Sequence, residues 1–507
     1  MRRATTFAIG VLALCAIAIP ADADTITVTN TNDSGPGSLR QALADAQDGD
    51  TIQFDPALNG QTINLTSAQL VIQSNATIDG PGATLLTVKR DPQAADLRIF
   101  DVMPGHTVEI NGLTISGGHI TDDNGGAILN DNSTLTIAHC TVYRNAIVSA
   151  IASSANSGGG IYNSGTMTLN QVIVSNHNAA FNGGEPPSGG GISNTGTMTI
   201  IAGTVQSNMG FWSAGGIYNT GMMTITGSTI SDNQNGNAGH FGGPGGGIVN
   251  GGTMTIQDST ISGNSAVGGD IKGGDGGGIY NAGPLQIIDC SITANSGRNG
   301  GGVVGGGNIA HTTFSNNSAS ENGGAIYVTS SLELGNTILK AGASGVNIFN
   351  NGGSLITHGY NVCSDNGSGL LNGPGDQINT DPMLGPLQNN GGPTLTHALL
   401  PGSPAIDAGD PNFAPPPEYD QRGPGFVRVF NGRIDGGSFE VQPTPTPTPT
   451  ATATATFTPT ATATHTPTVT PTSTPTSTAT PTLTPRPSPT PRPASTPRPR
   501  PTPPPRP

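Results

Sequence analysis

The chain has 507 residues and a formal net charge of −14; glycine takes 76 positions, and only 10% of the residues are charged. With 4% aromatic residues, the chain cannot fill one thick core, so we expect an architecture that buries small side chains in thin layers. The acidic balance disfavours nucleic acid and anionic membrane surfaces as partners.

Residues 1–23 have the pattern of a secretory signal peptide. Arg2 and Arg3 precede the apolar run FAIGVLALCAIAI, and the Ala-Asp-Ala at 21–23 supplies small residues for cleavage. The apolar run is short for a membrane span. We therefore predict a secreted or extracellular protein of a bacterial cell surface, whose mature chain begins at Asp24.

A short amphipathic helix is predicted in the stretch SLRQALADAQDGD at 38–50. Ser38 and Gln41 have the spacing of a capping box. One helical face carries apolar and small residues: Leu39, Ala42, Leu43 and Ala46. Because the open end of a repeat protein needs a cover, we assign 24–110 to an N-terminal helical cap and the first coils.

Residues 111–345 repeat three short phrases. GGGIYN at 158–163 is an example of the first, TMTL at 166–169 of the second, and the third ends in an asparagine about every 22 to 32 residues. The second phrase alternates apolar and polar residues, as a strand with one buried face does. This pattern predicts an all-β fold, a single-stranded right-handed parallel β-helix of the pectate-lyase-like type, with coils about 4.8 Å apart.

Equivalent positions of neighbouring coils lie one above another in such a fold, so the sequence predicts columns of like side chains. Two inward columns are apolar. The first comprises Val142, Ile173, Val205, Ile230, Ile261, Ile292 and Phe314. The second comprises Leu135, Met167, Met198, Met223, Met254 and Leu285, with methionine as core filler.

Two further columns consist of asparagines at the corners. One comprises Asn145, Asn176, Asn208, Asn233, Asn264, Asn295 and Asn317. The other comprises Asn130, Asn163, Asn194, Asn219, Asn250 and Asn281. We expect their amides to point inward and to satisfy backbone groups at each bend, which is a structural role. Cys140 and Cys290 share a small-residue slot and lie too many coils apart for a disulfide.

The two C-terminal regions lose the repeat. Residues 346–440 are rich in turn residues and are predicted to form an irregular cap. Residues 441–507 are rich in Thr and Pro and cannot bury a core, so we predict a disordered, extended stalk.

The paired Gly-Gly-Ala/Gly-Ile and aliphatic-x-x-Asn motifs resemble the repeats of the polymorphic outer-membrane protein family over about 125–340. This resemblance implies a β-helical adhesin at a bacterial surface. Ile or Val replaces the family's Phe in six of the seven copies.

The two ends resemble other surface modules. TVTNTNDSGPGSLRQALADAQDGDTIQF at 27–54 is similar to the N-terminal segment of CSLREA-type β-helix proteins, with Gly37 in place of the Cys. Residues 355–440, which include DQRG at 420–423 and DGGSFE at 435–440, resemble a choice-of-anchor Q domain. Such domains precede surface-attachment tails, and none of these families implies a catalytic set.

Parallel β-helices also include pectin-acting enzymes, whose motifs are mostly missing here. Asn-Thr-Asp at 379–381 and Asp-Asp at 122–123 match two of the four motifs of a polygalacturonase-like hydrolase, but in the wrong order along the chain. Asp258 and Asp289 fall in the same slot of adjacent coils, within reach of one calcium ion. The alternative is a solvated pair at a turn.

Loops of varying length separate each corner asparagine from the next Gly-Gly phrase, so they emerge along one edge, which we name the loop corner. Three aromatic residues fall there: Phe181, Trp212 and Phe241. An aromatic strip is suited to stacking on sugar rings or on a partner surface. The alternative is that the rings fold back over the coil.

We therefore predict a non-catalytic, secreted or cell-surface protein for adhesion or polysaccharide binding. Its partner is an extracellular polysaccharide or a cell-surface molecule, and any membrane attachment is through an unidentified anchor. Phe181, Trp212 and Phe241 are the predicted ligand-binding residues, and no catalytic residue, metal ligand or cofactor is assigned. Two alternatives stay open: a polysaccharide lyase or glycoside hydrolase, and a structural surface-coat protein.

Overall fold

In a computed structural model, the chain forms a right-handed parallel β-helix of about 12 coils, as the repeat predicts. The structure describes residues 23–150, 156–182, 187–236, 243–266 and 274–442. The predicted signal peptide, apart from Ala23, and the predicted stalk beyond Gln442 lie outside the described residues.

The first sheet consists of two rows of strands. Its first row comprises Leu70–Ile72, Phe100–Val102, Ile128–Asn130, Ile161–Asn163, Ile192–Asn194, Ile217–Asn219, Ile248–Asn250, Ile279–Asn281 and Ile348–Asn350. Its second row comprises Thr25–Val28, Thr51–Phe54, Thr77–Asp79, Thr107–Asn111, Thr134–Ala138, Thr166–Asn170, Thr197–Ile201, Met222–Thr226, Thr253–Gln257, Leu285–Ile288 and Leu355–Gly359. Two long strands run through both rows: Val303–Ala310 and Ile326–Gly335.

The remaining strands form the other faces. The second sheet comprises Gln61–Leu65, Leu86–Arg90, Thr114–Ser116, Thr141–Tyr143, Ile173–Ser175, Thr204–Gln206, Thr229–Ser231, Thr260–Ser262, Ser291–Thr293, Thr313–Asn322, Ile338–Ala341 and Val362–Cys363. The third sheet comprises His119–Thr121, Ala146–Ser149, Asn178–Phe181, Met209–Gly210, Gln234–Asn235, Ser265–Ala266, Ser296–Asn299 and the end of Thr313–Asn322. Outside the coils, Leu384–Gln388 pairs antiparallel with Thr396–Leu399.

The column of methionines is confirmed. Met167, Met198, Met223 and Met254 pair in register on successive coils, and all are buried. Their neighbours in the strands, the threonines, point to solvent, as alternation in a strand requires. The repeated TMTI phrase is therefore the consequence of stacking equal positions in one core.

The predicted aliphatic column is wrong at one position. Val174, and not Ile173, pairs with Val142 and Val205, and Ile173 is 41% exposed. The other members stack as predicted, from Val205 through Ile230 and Ile261 to Ile292 and Phe314. A shift of one residue exchanges the buried and exposed faces of a strand, so the predicted register placed the exposed side chains of this strand in the core.

The same shift changes the first asparagine column, in which His177 replaces the predicted Asn176. Asn176 is exposed and has a left-handed φ of 59°. The remaining amides form a ladder in which each Nδ2 donates to the Oδ1 of the next, at 2.9 to 3.0 Å from Asn208 to Asn317. Every member is buried, so the ladder satisfies its own polar groups within the core.

His177 makes the contacts of a ladder asparagine. Its Nδ1 accepts a hydrogen bond from the Asn145 backbone N–H at 3.1 Å, and its Nε2 donates to the Val142 carbonyl at 3.0 Å. The His177 backbone N–H in turn donates to Oδ1 of Asn208 at 3.0 Å. This pattern requires the neutral imidazole, and burial lowers the pKa of His177 to about 4.

The second asparagine column is confirmed throughout. Successive amides from Asn130 to Asn281 are joined by Nδ2-to-Oδ1 hydrogen bonds of 2.6 to 2.8 Å. The side chains also donate to backbone carbonyls of the bend, such as that of Gly165. From Asn130 to Asn281, each bend between the two rows of the first sheet thus contains one buried amide.

The N-terminal cap is also present as predicted. The helix Leu39–Asp45 begins after Ser38, whose side chain accepts a hydrogen bond from the Gln41 backbone N–H. Leu39, Ala42 and Leu43 are buried against the first coils. A 3-10 turn, Pro56–Leu58, follows.

The region predicted as an irregular cap, 346–440, has a more varied arrangement. Its first three strands continue the coils as far as Val362–Cys363, and Leu371, just after the 3-10 turn Gly367–Gly369, joins the core at the open end. Residues 378–442, which we name the C-terminal strap, then return along the second sheet. There Thr260 Oγ1 donates to the Leu395 carbonyl at 2.6 Å. The strap therefore covers a side of the β-helix.

Cys140, Cys290 and Cys363 are buried and free, and they are the cysteines among the described residues. Burial raises the pKa of Cys140 to about 11, so this thiol stays protonated. Cys140 and Cys290 thus form no disulfide, as their positions in the repeat predict.

Candidate functional site

The loop corner lies where the third sheet ends and the first sheet of the next coil begins. Short parallel bridges join Ser157 to Ser188, and Ser188 to Ser213, on the far side of the loops. These bridges restore register after loops of different length, so the loops emerge along one edge. Loop residues 151–155, 183–186, 237–242 and 267–273 lie outside the described residues.

An exposed apolar cluster occupies this corner, and we name it the aromatic corner: Phe181, Met209, Phe211 and Trp212. Phe181 ends its strand and stacks on Phe211, with ring centroids 5.3 Å apart and planes at 25°. Trp212 follows Phe211 directly and is 47% exposed. Met209, which is 42% exposed, pairs with Asn178 across the third sheet.

The structure thus places two of the three predicted residues at one corner. Phe181 partly folds back, onto Phe211, whereas Trp212 keeps nearly half of its surface exposed. Gly243 lies so close to the Trp212 carbonyl that any side chain there would overlap it. Phe241, the third predicted residue, lies outside the described residues.

Sequence reasoning missed Phe211 and Met209. Both lie in the stretch NMGFWS at 208–213, directly beside the tryptophan that was selected. Met209 follows a ladder asparagine, and in this fold that position begins the third sheet. The position directly after a ladder asparagine was therefore a signal that would have identified Met209.

The acid pair is more buried than a solvated pair at a turn would be. Asp258 and Asp289 occupy the same turn of adjacent coils, with left-handed φ values of 52° and 48°. The C-terminal strap covers them, and Nη1 of Arg428 lies 3.8 Å from Oδ1 of Asp289. Arg428 and Asp289 are both fully buried, whereas Asp258 is partly exposed, so Asp289 does not lie in a solvated turn.

The electrostatics of this cluster oppose ionisation of both carboxyl groups. Burial raises the pKa of Asp289 well above its usual range and that of Asp258 to about 7, while the nearby Arg428 acts in the opposite direction. Arg428 is the cation beside Asp289, but no hydrogen bond joins the two groups, and both oxygens of this buried carboxyl group lack a hydrogen-bond partner. Within the described ranges, no group of three or more His, Cys, Asp or Glu side chains is arranged to hold a metal ion.

The two hydrolase-like motifs do not meet. Asp123 pairs with Arg98 near the N-terminal coils, whereas Asp381 pairs with Lys340 near the last coils, at 2.8 Å. Several coils separate them along the axis. A paired-carboxylate site would require its two carboxyl groups within about 10 Å of each other.

A cleft of about 360 Å³ lies between the second sheet and the antiparallel strands of the strap, with Lys340 and His397 in its lining. His397 contacts the Gly385 carbonyl through Nδ1 at 2.8 Å and Thr293 Oγ1 through Nε2 at 3.1 Å. Lys340 is paired with Asp381. These polar groups hold the strap in place and form no pair of nucleophile and base.

A sequence-family profile described as the Chlamydia polymorphic membrane protein repeat matches residues 311–329. No curated protein matches the chain in sequence. The crystal structure of pectate lyase Pel9A is similar, with a TM-score of 0.42 and 13% identity over 83% of this chain and 96% of that chain.

The part of the chain that the structure describes contains no helix with the length and apolar character needed to cross a bilayer.

Proposed function

We propose that this chain is a bacterial surface protein that binds an extracellular polysaccharide, without cleaving it, through the aromatic corner. The observation that carries this proposal is the exposed cluster in which Phe181 stacks on Phe211 beside Trp212. The repeat of the polymorphic membrane protein type supports a location at the cell surface.

The aromatic corner has the properties of a sugar-binding surface. Flat rings bury a large area at a small cost in side-chain entropy and pack against the C–H faces of sugars. The rings are placed by strands and by the bridges of the corner, while the loops beside them vary in length. A rigid scaffold that carries variable loops is the usual arrangement of binding surfaces.

The proposal of binding without cleavage rests on the acidic residues. Asp381 of the hydrolase-like motif is paired with Lys340, and Asp289 of the lyase-like pair is fully buried beside Arg428 under the C-terminal strap. The cleft that Lys340 lines contains no residue of the aromatic corner.

Trp212→Ala is expected to weaken binding of the mature chain to its polysaccharide by about tenfold, because the most exposed ring of the corner is lost. The measurement is retention of the protein on a panel of insoluble and immobilised polysaccharides. Met222→Ala is the matched control, since Met222 is 60% exposed on the first sheet, away from the corner. The thermal midpoint of both variants should equal that of the unmodified chain.

Three results would contradict the proposal. Unchanged binding by Trp212→Ala would remove the aromatic corner from the site. Release of reducing ends or of unsaturated uronides from the panel would favour the enzyme alternative. Absence of binding to every member would favour a structural coat protein.

A further inference from the structure

A row of tyrosines runs along the outer face of the first sheet, on the strands that follow the loop corner. Tyr162, Tyr218, Tyr280 and Tyr327 occupy the same outward position, each two coils from the next. The coils between them carry small residues at that position: Ser193, Val249 and Val304. The row is therefore an alternation of large and small side chains along the axis.

The small residues are buried although they point outward. Ser193 is 0%, Val304 is 3% and Val249 is 7% exposed. Side chains of neighbouring coils must cover them, and Tyr162 does reach across, with its Oη 3.4 Å from Oγ1 of Thr195 on the next coil. The tyrosines themselves are partly exposed.

At the end of the row, two aromatic residues occupy adjacent coils without a small residue between them. Tyr327 and Phe349 lie on adjacent coils, and their rings stack face to face, with centroids 5.5 Å apart and planes at 3°. Rings on adjacent coils thus cover each other, whereas Tyr162, Tyr218 and Tyr280 have no aromatic residue at this position on the adjacent coils and are partly exposed. We name Tyr162, Tyr218 and Tyr280 the tyrosine track.

The spacing of the track specifies the geometry of a ligand. Two coils correspond to about 9.6 Å along the axis. In an extended β-1,4-linked chain, each sugar advances by about one strand spacing and successive sugars are turned over, so every second sugar presents the same face. Such a chain lying along the axis would place one equivalent sugar on each ring.

The chemistry of the track indicates a neutral ligand. Its strands, Ile161–Asn163, Ile217–Asn219 and Ile279–Asn281, carry no charged residue, and the strands between them carry none either. A uronic acid polymer would require cationic partners and would be repelled by a chain of net charge −14.

We propose that the tyrosine track binds a neutral β-1,4-linked glycan that lies along the β-helix axis. This inference rests on the proposed polysaccharide binding and adds a second surface to it, separate from the aromatic corner. The contacts are ring-to-sugar stacking at every second sugar, with the threonine and serine hydroxyls of the adjoining bends as hydrogen-bonding groups.

Calorimetric titration of the mature chain with β-1,4-linked gluco-oligosaccharides tests this proposal. Affinity should rise with length up to about five sugars, which reach all three rings, and then level off. Tyr218→Ala should weaken binding of the longest oligosaccharide by about tenfold, and Tyr218→Phe should retain it because the ring remains. Tyr143→Ala is the matched control, since Tyr143 is a partly exposed tyrosine of the second sheet.

The outcomes separate the two surfaces. Loss of binding in Tyr218→Ala but not in Trp212→Ala supports the track as a surface separate from the aromatic corner, which the polysaccharide panel tests. The reverse result overturns the track and leaves the proposed function intact. The track is also overturned if no oligosaccharide binds, if polygalacturonate binds equally well, or if affinity is independent of length.

Discussion

Replacing Asn264 by alanine is expected to lower the free energy of unfolding by about 3–5 kcal/mol, because two buried backbone groups lose their partners. Oδ1 of Asn264 accepts a hydrogen bond from the Asn233 backbone N–H at 3.0 Å. Its Nδ2 donates to the Ile230 carbonyl at 2.9 Å. Both groups lie in the core, where no water replaces the amide.

Urea unfolding followed by circular dichroism measures this effect. The matched control is Asn176→Gly, which removes the asparagine that sequence alone placed in the same column. Asn176 is exposed and has a left-handed φ of 59°, which glycine adopts freely, so its replacement should change stability by less than about 0.5 kcal/mol. A large loss in Asn176→Gly together with a small loss in Asn264→Ala would contradict the ladder.

The fold is expected to lose about 3 kcal/mol of stability through His177 as the pH falls from 7 to 4. The unfolded chain binds a proton near the ordinary pKa of 6.5, whereas burial lowers the pKa of His177 in the fold to about 4. The contribution of the neutral ring is therefore fully present above pH 6.5. It is lost progressively as the pH falls toward 4.

His177→Asn separates this contribution from that of other groups, because asparagine makes the same ladder contacts without titrating. Thermal midpoints measured at several pH values should converge or cross, with the variant losing less stability in acid than the unmodified chain. His177→Ala should be destabilised at every pH, since it leaves the Asn145 N–H and the Val142 carbonyl without partners. Equal pH dependence of the unmodified chain and His177→Asn would contradict a buried neutral histidine.

The repeat alone predicted most of the β-helix, and its one error has a simple origin. The phrase IVSN was aligned by its letters, which placed Ile173 and Asn176 in the core columns. In the other coils, the corner asparagine of the first column lies 11 positions after the first residue of the second-row strand, as Asn208 does after Thr197. The same distance from Thr166 leads to His177, so spacing was a better guide than residue type.

The C-terminal strap was beyond sequence reasoning because its contacts are long-range and aperiodic. Gln421 is fully buried and donates to Thr260 Oγ1 at 3.0 Å, although the two residues are 161 positions apart. Arg428 reaches Asp289 in the same way. Nothing in the repeat marks which coils a returning segment will cover, so the acid pair was read as accessible.

The aromatic corner was partly accessible to sequence, and the tyrosine track was accessible but not recognised. Register places Phe181 and Trp212 at one edge once the loops are known to emerge there. The alternation of Tyr162, Ser193 and Tyr218 is visible in the phrases GGGIYN and GGGISN. The alternation is recognised as a surface feature only once the strand pairing shows that these residues stack on successive coils and point outward. The resemblances of the two chain ends to CSLREA-type and choice-of-anchor Q modules stay predictions.

Both proposed surfaces depend on equal positions of successive coils being stacked in register, and one distance measurement tests this most directly. Spin labels on cysteines replacing Thr136 and Thr255, outward residues four coils apart in one column, should lie about 19 Å apart along the axis. In the mature chain that we predict from Asp24, the native cysteines Cys140, Cys290 and Cys363 are buried and should not be labelled. Moving the first label from Thr136 to Thr168 should shorten the distance by one coil, about 4.8 Å. A broad distribution, or a distance that does not change with that move, would contradict the stacked coils and both surfaces built on them.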